Sequence, residues 1–96
     1  MPATPSDLPE VARVARDLIR FDTTNHGGGN AAGEREAAEY VGAYLEDLGL
    51  AVDYYEPVPR RTNVHARIRG RNPDRPALVL HGHLDVVPAI AEDWSV

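Results

Sequence analysis

The stretch ALVLHGHLDVVP, residues 77–88, joins an apolar run to two histidines and an aspartate. Residues 77–80 are apolar on both faces and follow Pro73 and Pro76, a pattern that favours a strand covered on both sides of a sheet. In open α/β sheets, functional groups gather beyond the carboxyl ends of such strands. We therefore expect a central strand over residues 77–80 and a functional site directly after it.

The pair His83 and Asp85 has the spacing of a metal ligand with a supporting carboxylate. Side chains at i and i+2 of an extended segment project to the same side, so these two can share one pocket. A ligating imidazole usually donates its other ring N–H to a carboxylate or carbonyl. His81 has the same phase, but Gly82 lets the backbone turn, so the direction of His81 is left open. A solvated turn pair is the competing interpretation. We favour a metal site, because so many polar groups after a buried strand are costly unless something coordinates them.

The sequence around this pair resembles a known metal motif. Residues 80–88, followed by residues 93–94, resemble the first metal motif of the zinc metallopeptidase family that contains aminoacylase, acetylornithine deacetylase, succinyl-diaminopimelate desuccinylase and carboxypeptidase G. Further segments resemble the family in its usual order, at residues 18–25, 33–35 and 61–64. The resemblance covers essentially the whole chain and is strongest at residues 80–88.

The resemblance implies a role for each member of the pair. His83 corresponds to a histidine that ligates one zinc, and Asp85 to the catalytic aspartate that orients and polarises this ligand. Two Zn²⁺ ions are implied per complete site, although nitrogen and oxygen ligands would also suit Co²⁺ or Mn²⁺. The general base and the other ligands come later in the family's sequences. We therefore expect residues 1–96 to be the N-terminal part of the catalytic domain, without the lid or dimerisation domain and inactive alone.

The activity implied by the resemblance is hydrolysis of an amide or peptide bond by metal-activated water. The substrates would be N-acyl amino acids or small peptides, as for a deacylase, a dipeptidase or a carboxypeptidase. Dimerisation is usual in the family, so a homodimer is implied for the full-length protein.

Three other interpretations of these residues stay open. Metallo-β-lactamase-like hydrolases use His-x-His-x-Asp-His, which matches His81, His83 and Asp85 but requires histidine where this chain has Val86. Amidohydrolase barrels place His-x-His on their first strand, whereas two helices and two strands are predicted before it here. The third alternative is a non-catalytic, truncated paralogue that pairs with another chain through an unfinished sheet edge.

Composition narrows the class of protein. A chain of 96 residues forms one modest core at most. The net charge is −5, and the arginines are spread along the chain, which argues against nucleic acid as a partner. Cysteine is absent, so a disulfide framework and a thiolate zinc site are excluded. No stretch approaches membrane-spanning length and the N-terminus has no signal-like core, so we expect a cytoplasmic protein without a membrane partner.

Periodicity predicts two helices and two strands before residues 77–80. We expect the first helix to be capped by Ser6 or Asp7, to carry Pro9 in its first turn and to end near Phe21. Its predicted apolar face is formed by Leu8, Val11, Ala15, Leu18 and Ile19.

The second helix is predicted from about Gly33 to Leu48, with Gly49 ending it. Its predicted apolar side consists of Ala37, Ala38, Val41, Leu45 and Leu48. The loop before it is rich in glycine, but it lacks the Gly-Lys-Ser/Thr ending of a phosphate loop. We interpret His26 in that loop as a solvated residue.

The next segments, residues 50–55 and 63–68, alternate like strands and are linked by residues 57–61. His65 falls on the polar face of the second of these and is predicted to be a surface histidine. The order of elements predicts an α/β protein: a three-layer domain with a mixed β-sheet flanked by helices, zinc-exopeptidase-like by the resemblance and incomplete in this chain.

Overall fold

The fold is a pair of helices followed by a β-hairpin. The computed structural model describes residues 8–95. The elements are α1 (Glu10–Ile19), α2 (Arg35–Asp47), β1 (Val52–Val58), β2 (Arg61–Ala66) and a short 3₁₀-helix (Ala91–Asp93). The mixed α and β composition predicted from the sequence is confirmed.

Strands β1 and β2 pair antiparallel, with Tyr54 opposite Val64. The strands are joined by a tight turn in which Arg60 adopts a left-handed backbone conformation (φ 64°). The predicted link over residues 57–61 is therefore longer than the observed one, because its first two residues extend β1 and its last residue begins β2. The alternation predicted for the second strand is confirmed within β2, since Val64 is half-buried while His65 is exposed. It is wrong at Ile68, which lies beyond the end of β2 and is 78% exposed.

Helix α2 packs against this hairpin through small residues. Its buried positions are Ala37, Ala38 and Gly42. A Cβ at Gly42 would collide with the hydroxyl group of Tyr54, so the glycine leaves room for this side chain of β1 against the helix. The predicted inner face is thus confirmed at its two alanines. It is wrong at Leu48, which is 62% exposed because it follows the last helical turn.

The C-terminus of α2 ends as the sequence predicts. Gly49 has a φ of 89°, which an L side chain rarely adopts. Its N–H donates to the carbonyl of Glu46 at 2.9 Å, and the N–H of Leu50 donates to the carbonyl of Leu45 at 3.1 Å. This is the paired hydrogen bonding of a Schellman motif, which satisfies the last carbonyls of the helix.

Helix α1 begins one residue after Pro9, which occupies the N-cap position. The prediction that Pro9 lies in the first turn is therefore wrong. The fixed φ of proline is also compatible with the position just before the helix. The predicted caps Ser6 and Asp7 lie outside the described residues. Neither described α-helix is long and apolar enough to cross a membrane.

Polar and aromatic contacts link α1 to α2. The Tyr40 hydroxyl donates to Asp17 Oδ2 at 2.8 Å, and the Phe21 and Tyr40 rings lie 5.8 Å apart. The apolar face predicted for α1 is only partly used, because Val11 and Ile19 are 78% and 81% exposed. No residue of α1 is fully buried.

The predicted central strand over residues 77–80 is wrong for the described structure. These residues form no strand, and Leu78, Val79 and Leu80 are 79–87% exposed. A strand that is apolar on both faces requires hydrogen-bonded neighbours and cover on both sides, and residues 8–95 supply neither. The radius of gyration reflects this, at 16.4 Å against about 12.5 Å for a compact domain of this length.

Candidate functional site

A short backbone pairing, and not the end of a strand, positions the candidate site. Val86 N–H donates to the carbonyl of Thr23 at 3.1 Å, and Asn25 N–H donates to the carbonyl of Val86 at 2.8 Å. Thr24 and Val86 thereby form a parallel bridge. The segment that carries His83 and Asp85 is therefore held beside the loop that follows α1.

His83 and Asp85 are in direct contact. His83 Nδ1 lies 2.8 Å from Asp85 Oδ1 and 2.9 Å from the carbonyl oxygen of the same residue. Both partners are acceptors, so Nδ1 carries a proton and donates it. In the neutral imidazole this leaves the lone pair on Nε2 free. The side chain of His83 is 80% exposed, so Nε2 is accessible to a ligand.

The second oxygen of Asp85 is held by two other side chains. Asn25 Nδ2 donates to Oδ2 at 3.0 Å, and Arg61 Nη2 lies 3.5 Å from the same oxygen. The hydrogen bond from Asn25, then that from His83, holds the pKa of Asp85 below its ordinary value, and the charge of Arg61 acts in the same direction. Asp85 is therefore an ionised acceptor at neutral pH.

Arg61 is itself anchored to the start of α2. Its Nε donates to Oε2 of Glu34 at 2.9 Å, which raises the pKa of Arg61 above its ordinary value. The Glu34 side chain is only 8% exposed, and Glu34 N–H donates to the carbonyl of Arg60 at 2.7 Å. Within the part of the chain that the structure describes, Oε1 of Glu34 is buried without a hydrogen-bond partner.

One neighbouring glycine is required for this arrangement. Gly33 has a φ of 93°, and a Cβ there would lie 2.6 Å from Cβ of Arg60 and 2.7 Å from its carbonyl oxygen. The hairpin turn thus meets the N-terminus of α2 at a point where no side chain fits. This contact places Arg61, the residue after the turn, between Glu34 and Asp85.

The remaining histidines lie apart from this cluster. His65 is exposed on β2, as predicted, with Nδ1 3.9 Å from Asp53 Oδ2. His26 is exposed in the glycine-rich loop, also as predicted. His81 is exposed, and its side chain makes no hydrogen bond with any residue from 8 to 95. The structure therefore brings only His83, of the two histidines in the motif, to Asp85.

The contacts of three site residues are not predicted by the sequence. Asn25, Glu34 and Arg61 belong to segments that carry the resemblance, but no role was predicted for them. Asn25 and Asp85 are separated by 60 positions, so no local spacing indicates their contact. Periodicity reports which face of an element is apolar, whereas this contact depends on how two loops meet.

The donor set suits part of a metal centre. A free imidazole Nε2, with Nδ1–H held by a carboxylate, is the usual state of a histidine that binds zinc. Within residues 8–95, no group of three or more His, Cys, Asp or Glu side chains is arranged to hold a metal ion. His83 fits the role of one ligand, and a complete centre would need others.

Comparison with known proteins gives two similar sequences. The chain is 30% identical over 88 residues to N-formyl-4-amino-5-aminomethyl-2-methylpyrimidine deformylase from Halalkalibacterium halodurans, and 28% identical over 88 residues to the deformylase of the same name from Bacillus subtilis. Each alignment covers 90% of this chain and 20% of the relative. The chain thus spans about one fifth of the length of the curated relatives it matches. No protein-family model and no solved structure matches it.

Proposed function

We propose that this chain forms the first part of the catalytic domain of a metal-dependent hydrolase of amide bonds. The observation that carries the proposal is the His83–Asp85 pair, in which Nδ1–H is held and Nε2 is free and exposed. The similarity to two deformylases supports the reaction class, because an N-formyl group is an amide. The resemblance of residues 80–88 to the zinc metallopeptidase motif supports the choice of zinc.

His83 and Asp85 would have different roles in this function. His83 would hold one metal ion through Nε2, and Asp85 would fix the imidazole in that tautomer and raise its basicity as a ligand. A bound zinc ion supplies a Lewis acid for the amide carbonyl and lowers the pKa of its water to about 7. The general base would be a glutamate from another part of the polypeptide, as the resemblance implies.

The substrate class follows from two sources that partly disagree. The relatives are named for an N-formyl compound in which the acyl group is the smallest there is. The motif resemblance instead implies N-acyl amino acids or small peptides. We propose a linear amide with a small acyl group as the substrate, and we include the zinc-exopeptidase-like domain and the homodimer in the same proposal.

Hydrolysis assays of the full-length, zinc-loaded protein test this function. The substrates should include the N-formyl aminomethylpyrimidine, an N-acetyl amino acid and a dipeptide. We expect release of the acyl group from at least one of them, with loss of the activity to background in His83→Ala and retention in the surface control His65→Ala. Hydrolysis of none of the three, or full activity in His83→Ala, would contradict the proposal.

A further inference from the structure

The orientation of the Asn25 side chain is determined by its two hydrogen-bond partners. Asn25 Oδ1 accepts the backbone N–H of Gly27 at 2.9 Å, so the amide nitrogen is on the opposite side. This nitrogen lies 3.0 Å from Oδ2 of Asp85, an acceptor. The reverse orientation of the amide would set an oxygen against a carboxylate and an N–H against an N–H.

The backbone holds both ends of this contact in place. Asn25 N–H donates to the carbonyl of Val86, the residue after Asp85, at 2.8 Å. The amide that donates and the carboxylate that accepts are therefore carried by two segments that are already hydrogen-bonded to each other. The backbone entropy of bringing the two segments together is therefore already lost when the side-chain contact forms.

The two oxygens of Asp85 have different partners, because Asn25 and Arg61 contact the same one. They occupy Oδ2 and leave Oδ1 to the Nδ1–H of His83. The torsion that turns an aspartate carboxylate is broad and roughly two-fold, so the carboxylate alone would not keep one oxygen on the imidazole. Donors on Oδ2 fix its plane.

We propose that Asn25 is a positioning residue, which acts through Asp85 to hold His83 with Nδ1 protonated and Nε2 free, with Arg61 as the second contact on the same carboxylate. The proposal rests on the proposed function, because the benefit of a free Nε2 is metal binding. The side chain of Asn25 hydrogen-bonds to Asp85 and to Gly27, and not to His83 itself.

The substitution Asn25→Asp tests this role with almost no change of shape. It keeps an acceptor for Gly27 N–H but replaces the donor that faces Asp85 by a second carboxylate oxygen. The matched control is Asn72→Asp. Asn72 Oδ1 accepts the N–H of Asp74 at 3.0 Å in an exposed loop, so the control repeats the turn geometry without the site.

The first readout is the ¹⁵N chemical shifts of the His83 ring in the full-length protein without metal, which report the tautomer directly. We expect the Nδ1–H form to dominate in the wild type and in Asn72→Asp, and to become a mixture in Asn25→Asp. The second readout is zinc affinity, which we expect to fall about 10- to 100-fold in Asn25→Asp, as is typical when the support of a ligating histidine is lost.

A rescue variant separates positioning from a general structural effect. In the double variant Asn25→Asp/Asp85→Asn, the introduced amide at position 85 can donate to the introduced carboxylate at position 25 and still accept from His83. We expect it to restore the Nδ1–H tautomer relative to Asn25→Asp alone. If Asn25→Asp does not fold, Asn25→Ala removes the same donor without adding charge and should shift the tautomer in the same direction.

The outcomes distinguish this proposal from the proposed function. A wild-type tautomer and wild-type zinc affinity in both Asn25→Asp and Asn25→Ala would overturn the positioning role. If the wild type binds no zinc, the proposed function fails, while the ring shifts of His83 still decide whether Asn25 sets the tautomer.

Discussion

At the scale of single residues, the candidate site is a chain of hydrogen bonds that ends on a free imidazole nitrogen. The contact between His83 and Asp85 follows from i, i+2 spacing in an extended segment, so it could be predicted from the sequence. The contacts of Asn25 and Arg61 with Asp85 could not, because they depend on the pairing of the loop after α1 with Val86 and on the hairpin turn. The sequence therefore predicts the pair but not the residues that hold it.

The substitution Asp85→Asn separates support of the ligand from ligation itself. The introduced amide oxygen can still accept Nδ1–H of His83, so most of the zinc should remain bound in the full-length protein. The lost negative charge lowers the basicity of the imidazole, so we expect turnover to fall by about 10- to 100-fold. Metal analysis and steady-state kinetics on the same samples check both parts. Complete loss of the metal would mean that Asp85 is a direct ligand.

At the scale of elements, the sequence predicted what local rules determine. The extent of α2, its ending at Gly49 and the alternation of β2 follow from periodicity and from the backbone freedom of glycine. The strand predicted over residues 77–80 is absent from the described structure for a physical reason. Apolar composition shows that a segment is suited to burial, but pairing partners decide whether it becomes a strand.

The contact between the hairpin turn and α2 makes Gly33 a sensitive position. In Gly33→Ala the new Cβ would collide with Arg60, and an alanine at position 33 would have to adopt a positive φ. We therefore expect a loss of about 2–4 kcal/mol in local stability. Native-state hydrogen exchange of α2 and β2 in the full-length protein measures this loss. Gly29→Ala is the control, because Gly29 has a similar φ of 87° but open space around its Cβ. It should cost only about 1–2 kcal/mol, and equal losses in the two variants would refute the steric account.

The link between α1 and α2 has a signature in the titration of Asp17. The hydrogen bond from Tyr40, and then that from Arg16, holds the pKa of Asp17 below its ordinary value of 3.8. Its contribution to stability is therefore present above pH 3.8 and is lost as the pH falls through the lowered pKa. We expect Tyr40→Phe to move the pKa of Asp17 upward, towards its ordinary value.

Titration of the Asp17 carboxyl carbon by NMR measures this change. Tyr44→Phe is the matched control. The Tyr44 hydroxyl of α2 also donates a hydrogen bond to α1, but its acceptor is Glu10 and not Asp17. An unchanged pKa of Asp17 in Tyr40→Phe would show that this hydrogen bond does not join the helices in solution.

At the scale of the whole molecule, the described residues leave much apolar surface open. Ile68, Leu78, Val79 and Leu80 are each more than three-quarters exposed, and they lie in one stretch of chain. Apolar surface of this kind is normally covered by another part of a protein. The α and β content of the fold could be predicted from the sequence. The predicted three layers are not tested by the described structure. They require strands on both sides of residues 77–80, and residues 8–95 do not supply such strands.

Hydrogen exchange of the full-length protein tests whether this stretch is covered. If the chain is part of a larger catalytic domain, residues 77–80 should pair with neighbouring strands, and their amides should be protected. Residues 71–75, which are exposed and lie between Ile68 and the apolar residues 77–80, provide the internal control and should exchange rapidly. Equally rapid exchange in both segments would contradict the proposed three-layer domain.

The position of the metal tests the central claim most directly. A crystal of the full-length, zinc-loaded protein should show an anomalous peak at the zinc absorption edge about 2.0–2.1 Å from Nε2 of His83. The same crystal should show Nδ1 of His83 on Asp85, as in the structure described above. An anomalous zinc peak elsewhere in the protein, with none beside His83, would contradict the account.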